Sequence, residues 1–369
     1  MQTNQTAYLS RLDHLRFYAA ALVVIFHFFH THVGDLRAGN ALISLFDEGH
    51  TGIALFMVIS GFIFTVIAGD QSIRYGAFLK NRILRIYPLF TFAVFLQLLI
   101  STYNNHYNYG FLQLIGWLIP FRSETVPLSP YFSQLWTIWV EFQFYLIFPF
   151  LLAFSRNSGA RYLLGLLLLL IVVRSLVFAA SGSVRFLAYE TIFGRLDQFL
   201  VGMLIGIAWL RRPTDQQRSP LWVAAAGVLV ILGLHLFSRR VGYSELQSSF
   251  WIIWPVIEAL LWGQFLWFYL QARAVGPLIW RRGLDRALAA LGTVSFSTYV
   301  LHNLVIAAYN ARLPLLDSGR GAIADALLTG AVVVLPAVLL LSALTWKLIE
   351  KPFLTLRGEY LGGMATRRD

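Results

Sequence analysis

The sequence predicts an all-α bundle, a polytopic membrane protein of about ten transmembrane helices forming one domain over residues 1–369, with both termini cytoplasmic. Three observations predict it. Of the 369 residues, 58% are hydrophobic and only 13% charged, which is far from the balance of a soluble domain. Apolar runs of about 20 residues, the length that crosses the hydrocarbon core, follow one another with no room for a soluble domain between them. Most of the 29 Lys and Arg residues fall in alternate loops, the bias that sets membrane orientation.

The first helix, 13–32, carries no small-residue cleavage pattern, so it reads as a span and not as a signal peptide. The second, 51–69, contains "FMVISGFIF" and the third, 80–101, opens on the basic "LKNRILRIYP". The stretch 109–121 is too short to span and reads as re-entrant or interfacial, followed by an irregular outer loop in "IPFRSETVPLSP". Seven further helices fall near 134–154, 160–180, 196–210, 220–237, 250–271, 288–309 and 325–349. With the N-terminus in the cytoplasm, that side collects Arg11 and Arg16, the run from Arg74 to Arg85, Arg211 and Arg212, Arg281 to Arg286, and Lys347 to Arg357. The net charge of +11 then follows from topology and contact with the lipid bilayer, and no nucleic acid partner is needed. There is no cysteine, which excludes disulfides, thiolate metal sites and a cysteine nucleophile.

Ionisable groups inside spans are costly and face a cavity or a partner, so each is a functional candidate. Arg16 and His27 are eleven residues apart, which on a helix puts them on one face and about 16 Å apart. His27, Glu141, Arg174, Glu258 and His302 fall at similar outer depth on separate helices, which predicts a polar chamber opening outward. A neutral imidazole at His27 can take a proton from a hydroxyl, and a carboxylate beside it, Glu141 by first choice, would orient the ring. Glu141 could equally serve as a structural partner of Arg174, and Glu258 and His302 as polar glue between helices.

At the cytoplasmic start of the third helix, Arg82 and Arg85 lie one turn apart, a patch suited to phosphates or to ordinary topological anchoring. Ser60 and Gly61, mid-span in the second helix, free space for close approach of a backbone or ligand. The face shared by Arg16 and His27, past Ala20 and Val23, is the expected route of a donor from one side to the other.

These residues resemble the acyltransferase 3 family of integral-membrane acyltransferases, which includes O-antigen and exopolysaccharide O-acetyltransferases. The likeness lies in Arg16-x10-His27, in "GIALFMVISGFIF", in "KNRILRIYPLF", in Trp136, Glu141 and Tyr145 of "QLWTIWVEFQFYLIFP", in "SFSTYVLHNLV" ending near His302, and in "IEKP". It runs from about residue 11 to 353. The usual Asp-Gly-Leu-Arg opening is Asp13-His14-Leu15-Arg16 here, and the membrane domain is expected to stand without the SGNH esterase-like domain fused to some members.

The resemblance implies a bacterial inner-membrane enzyme with acyl-CoA, expected to be acetyl-CoA, as co-substrate and no metal. The acceptor is expected to be a sugar hydroxyl on a lipid-linked or cell-surface glycan. Combined with the residues, it implies His27 and Glu141 as the catalytic pair. Arg16, Arg82, Arg85, Ser60 and Gly61 would lie along the acyl-CoA, and Tyr145, Arg174, Glu258 and His302 around the substrate chamber. Direct transfer and two half-reactions through an acyl-histidine stay equally open. Rival readings are an acyltransferase acting on a small secondary metabolite and, in another class, a transporter or flippase.

Overall fold

The structure, a computed structural model, describes residues 9–37, 39–103, 116, 118, 130–212, 217–273 and 278–364. Nearly all of 109–121 and of the loop after it lies outside the described residues. The chain is helical almost throughout: α1 (Ser10–Val33), α2 (Ala41–Asp47), α3 (Gly52–Ala68), α4 (Tyr75–Tyr103), α5 (Trp136–Ser158), α6 (Ala160–Ser181), α7 (Arg185–Glu190), α8 (Ile192–Arg211), α9 (Leu221–Arg240), α10 (Trp254–Gln271), α11 (Leu278–Thr293), α12 (Ser295–Asn310) and α13 (Ala322–Leu354). Two short strands, β1 (Gln71–Ile73) and β2 (Leu361–Met364), pair antiparallel.

The protein is a multi-pass membrane protein. Among the described residues eight helices are long and apolar enough to cross a membrane. All ten predicted segments are helical, and two of them are less regular than the other eight. The predicted helix 288–309 is a pair, α11 and α12, bent by 65° at Val294, and makes a ninth span only if the pair counts as one. The segment predicted at 250–271 forms α10, where Glu258, Gln264 and Gln271 make it less apolar than the eight.

Burial follows position in the bundle. α3 is the most enclosed span, with 78% of its central window buried, whereas α6 has only 22% and leaves Leu164, Leu168 and Leu176 exposed as lipid-facing surface. α3 and α8 cross at glycines. A Cβ on Gly61 would lie 2.1 Å from the Phe199 carbonyl oxygen, and one on Gly202 would lie 2.2 Å from that of Val58. Gly202 and Gly206 form the small-xxx-small spacing that lets membrane helices approach backbone to backbone.

The start of α1 packs on α11, where the Asp13 carbonyl leaves no room for a Cβ at Gly292. At the other chain end, residues after α13 return to the start of α4, with Arg74 N–H donating to Tyr360 O (2.8 Å) and Asn81 Nδ2 to Gly358 O (2.7 Å). Both ends of the described chain therefore meet at one end of the bundle, the end that carries Arg16, Arg82 and Arg357.

Candidate active site

A cavity of about 380 Å³ opens inside the bundle. Its spine is the face of α3 from Ile53 through Phe56, Met57 and Ser60 to Phe64, a length of about 16 Å at 1.5 Å per residue. At the Phe64 end stand the cations. The Arg82 guanidinium lies 4.9 Å from the Phe64 ring, Arg85 is held by Glu350 at 3.0 Å, and Arg16 by Asp13 at 2.8 Å. All three arginines line the cavity.

Midway, α5 contributes Glu141 and Tyr145. The two sit one turn apart on the same helical face, and the Tyr145 hydroxyl donates to Glu141 Oε1. At the Ile53 end the cavity meets Thr137 and Tyr299. Thr137 Oγ1 donates to the Tyr299 hydroxyl (2.9 Å), which in turn donates to the Gln134 carbonyl (3.1 Å).

One turn further along α12 is His302, its ring centroid 5.7 Å from that of Tyr299. His302 Nδ1 lies 2.6 Å from the Tyr299 carbonyl, and its Nε2 lies 3.2 Å from Nδ1 of His27. His27 Nδ1 is also 2.9 Å from the Val23 carbonyl. A carbonyl oxygen only accepts, so both Nδ1 atoms carry the hydrogen. His302 Nε2 is then the acceptor from His27, and Nε2 of His27 keeps a free lone pair. The arrangement leaves His27 Nε2 able to accept a proton, with the tautomer set from behind.

Some predicted residues meet here and others do not. Arg16, Ser60, Arg82, Arg85, Glu141 and Tyr145 share the one cavity. His27 and His302 lie together, one turn beyond its end. Glu141 hydrogen-bonds Tyr145, and the hydrogen-bond partners of the His27 ring are Val23 and His302. Gly61 does not line the cavity but forms the crossing with α8. The expected single polar chamber is divided: Arg174 pairs with Asp197 at 2.6 Å, both side chains fully buried, and Glu258 pairs with Arg195 at 3.3 Å and accepts from Gln198. These two pairs tie α6, α8 and α10 together, away from the cavity lining.

The donor route expected along α1 is not where the open space lies. Ala20 and Val23 are 0% exposed and buried in the core, and α1 touches the cavity only at Asp13 and Arg16. Sequence reasoning also passed over Arg357 and Trp346, which line the cavity, and Glu48 and His50, a buried bonded pair (2.9 Å) just before α3. The density of polar residues in "DEGHTG" was the available signal for the latter.

The acyltransferase domain family matches residues 9–347. The chain belongs to the acyltransferase 3 family. It is 27% identical over 271 residues to exopolysaccharide production protein ExoZ of Rhizobium meliloti, covering 71% of this chain and 78% of that protein. It is 29% identical over 177 residues to nodulation protein 10 of Rhizobium leguminosarum bv. viciae (42% of this chain, 47% of that protein). With O-acetyltransferase OatA of Staphylococcus aureus it shares 25% over 341 residues, 82% of this chain and 51% of that protein. The matches to these last two thus span about half of each relative's length. No solved structure matches the chain significantly.

Proposed function

We propose that this acyltransferase moves an acyl group, acetyl by its likeness to OatA, from acyl-CoA to a sugar hydroxyl of a surface or lipid-linked glycan. The exopolysaccharide relative favours a glycan over a small metabolite as acceptor, and the enzyme would work in the cytoplasmic membrane of a bacterium with its arginine end inside. The observation that carries the reading is one continuous cavity that runs from an arginine cluster, along α3, to Tyr299, one turn of α12 short of the His302–His27 pair.

In this reading the guanidinium groups of Arg82 and Arg85 bind phosphates of the donor at the cytoplasmic mouth. The pantetheine arm lies along Phe64, Ser60 and Phe56, and its thioester reaches Tyr299. Rotation of Tyr299 away from Thr137 joins that point to the histidine pair. His27 Nε2 then accepts the proton of the sugar hydroxyl as its oxygen attacks the thioester carbonyl. The C–S bond breaks, and the proton passes to the leaving thiolate, so the products are the acyl ester and the free thiol. Arg16, close to its own Asp13, adds positive potential along the donor's path.

The test is transfer of labelled acetyl from acetyl-CoA to candidate glycans by the purified protein in nanodiscs. Acetylated glycan formed by wild type and absent with His27→Ala supports the reading. Absence of transfer from any acyl-CoA, across a panel of glycan acceptors, overturns it.

A further inference from the structure

Three buried N–H donors on residues that line the cavity have no hydrogen-bond partner: Arg82 Nε, Arg357 Nε and Trp346 Nε1. Buried polar groups are nearly always satisfied, so three orphans among residues lining a single cavity call for an explanation. The charges point the same way. Arg16 and Arg85 each have a carboxylate partner; among the described residues neither Arg82 nor Arg357 pairs with one.

The fold brings these groups together from distant places. Arg82 stands two turns into α4. Arg357 lies just past α13, where the returning chain is pinned to α4 through Asn81 and Gly358, each bonding the other's backbone or side chain (2.7 and 3.1 Å). Trp346 begins a π-helical turn, Trp346–Glu350, whose far end supplies the Glu350 that holds Arg85. Such turns within helices recur at functional sites because they shift which side chains face inward. Burial, with Arg82 and Arg85 nearby, lowers the Arg357 pKa to about 10, as expected for a buried cation crowded by others.

We propose that Arg357 and Trp346, together with Arg82, form a phosphate-binding site at the mouth of the cavity, filled by the phosphorylated part of the acyl donor. The assignment rests on the acyl-CoA reading for the identity of the donor, but the site itself is defined by its phosphate chemistry. Two guanidinium groups and an indole N–H match the tetrahedral oxygens of a phosphate or diphosphate, and the anion supplies both the missing acceptors and the missing charge.

The test is calorimetric titration of purified protein in phosphatidylcholine nanodiscs with CoA, dephospho-CoA, acetyl-pantetheine and inorganic pyrophosphate. Arg357→Gln is expected to weaken CoA and pyrophosphate about 10-fold or more and to leave acetyl-pantetheine unchanged, while Arg357→Lys retains part of the affinity. Trp346→Phe keeps the ring and loses only the N–H donor. It is expected to weaken CoA several-fold, and it carries the test if Arg357→Gln fails to fold. A larger effect of Arg357→Gln on CoA than on dephospho-CoA assigns the site to the 3′-phosphate; equal effects assign it to the diphosphate.

Repeating the titration in phosphatidylglycerol nanodiscs separates donor from lipid. CoA affinity kept there supports the donor as occupant, and competitive loss of CoA binding that Arg357→Gln relieves overturns it in favour of a lipid headgroup. CoA and pyrophosphate affinities unchanged in well-folded Arg357→Gln and Trp346→Phe overturn the site. If wild type binds pyrophosphate but not CoA, and Arg357→Gln loses it, the site stands and acyl-CoA falls as the donor.

Discussion

Nε2 of His302 lies 3.2 Å from Nδ1 of His27, and the two rings come from helices at opposite ends of the sequence. Because each Nδ1 also faces a backbone carbonyl, the pair has one consistent hydrogen arrangement, with the free lone pair on His27 Nε2. The His27 ring is oriented by a second histidine and a backbone carbonyl, with no carboxylate among its hydrogen-bond partners in the described residues.

From this pair, His27→Ala is expected to lower acyl transfer about 100-fold or more, the scale of a lost general base. His302→Ala leaves His27 Nδ1–H bonded to Val23 alone and is expected to lower kcat about 10-fold with KM for acyl-CoA unchanged. His302→Gln, which keeps an acceptor, should recover part of the loss. Steady-state kinetics in nanodiscs checks all three; near wild-type turnover of His27→Ala would remove the base from the mechanism.

Glu141 and Tyr145 share one hydrogen bond in the wall of the cavity, so Glu141→Gln and Tyr145→Phe should not act independently. The double variant is expected to be no worse than the poorer single variant, with a coupling of about 0.5–3 kcal/mol in a double-mutant cycle on kcat/KM. Strict additivity would mean that the two side chains act separately on the substrate.

At the crossing of α3 and α8, a methyl group at Gly61 has no space, since its Cβ would meet the Phe199 carbonyl at 2.1 Å. Gly61→Ala is expected to destabilise the protein by about 1–3 kcal/mol through overpacking. Gly165, on lipid-facing α6 with nothing within 4 Å of a Cβ, should accept Ala without loss. Thermal unfolding in detergent compares them, and equal melting temperatures would refute the close crossing.

Glu48 lies between α2 and α3, outside the spans, where burial raises its carboxyl pKa well above the usual value and the carboxylates of Asp47, Asp35 and Glu258 push the same way. A raised folded pKa means the folded state holds the proton more tightly than the unfolded state. The resulting stability is present below the unfolded value of about 4.3 and is lost as pH rises through the folded one. Wild type should therefore lose more thermal stability from acidic to neutral pH than Glu48→Gln, whose side-chain oxygen still accepts from His50. Parallel melting profiles of the two proteins against pH would contradict it.

The sequence by itself determined the class of molecule. Apolar runs long enough to cross a bilayer, a composition poor in charge, and ordered motifs from Arg16 to the "IEKP" segment were enough for an α-helical membrane acyltransferase, because hydropathy and local motifs are properties of contiguous residues. Part of the cavity wall was legible for the same reason: Arg82 and Arg85, or Glu141 and Tyr145, are neighbours on a single helix. Tertiary structure decided what depends on distant segments meeting. Glu141 was expected beside His27, but His302, 275 residues away, takes that place. Arg174 found Asp197, and Arg85 found Glu350; of the four arginines that line the cavity, Arg82 and Arg357 have no carboxylate partner among the described residues. Helical spacing puts Arg16 and His27 on one face, yet spacing cannot tell a packed face from an open one. The side chains at Ala20 and Val23 are enclosed by neighbouring helices, and the open path runs along α3 because α4, α5 and α12 stand back from it there.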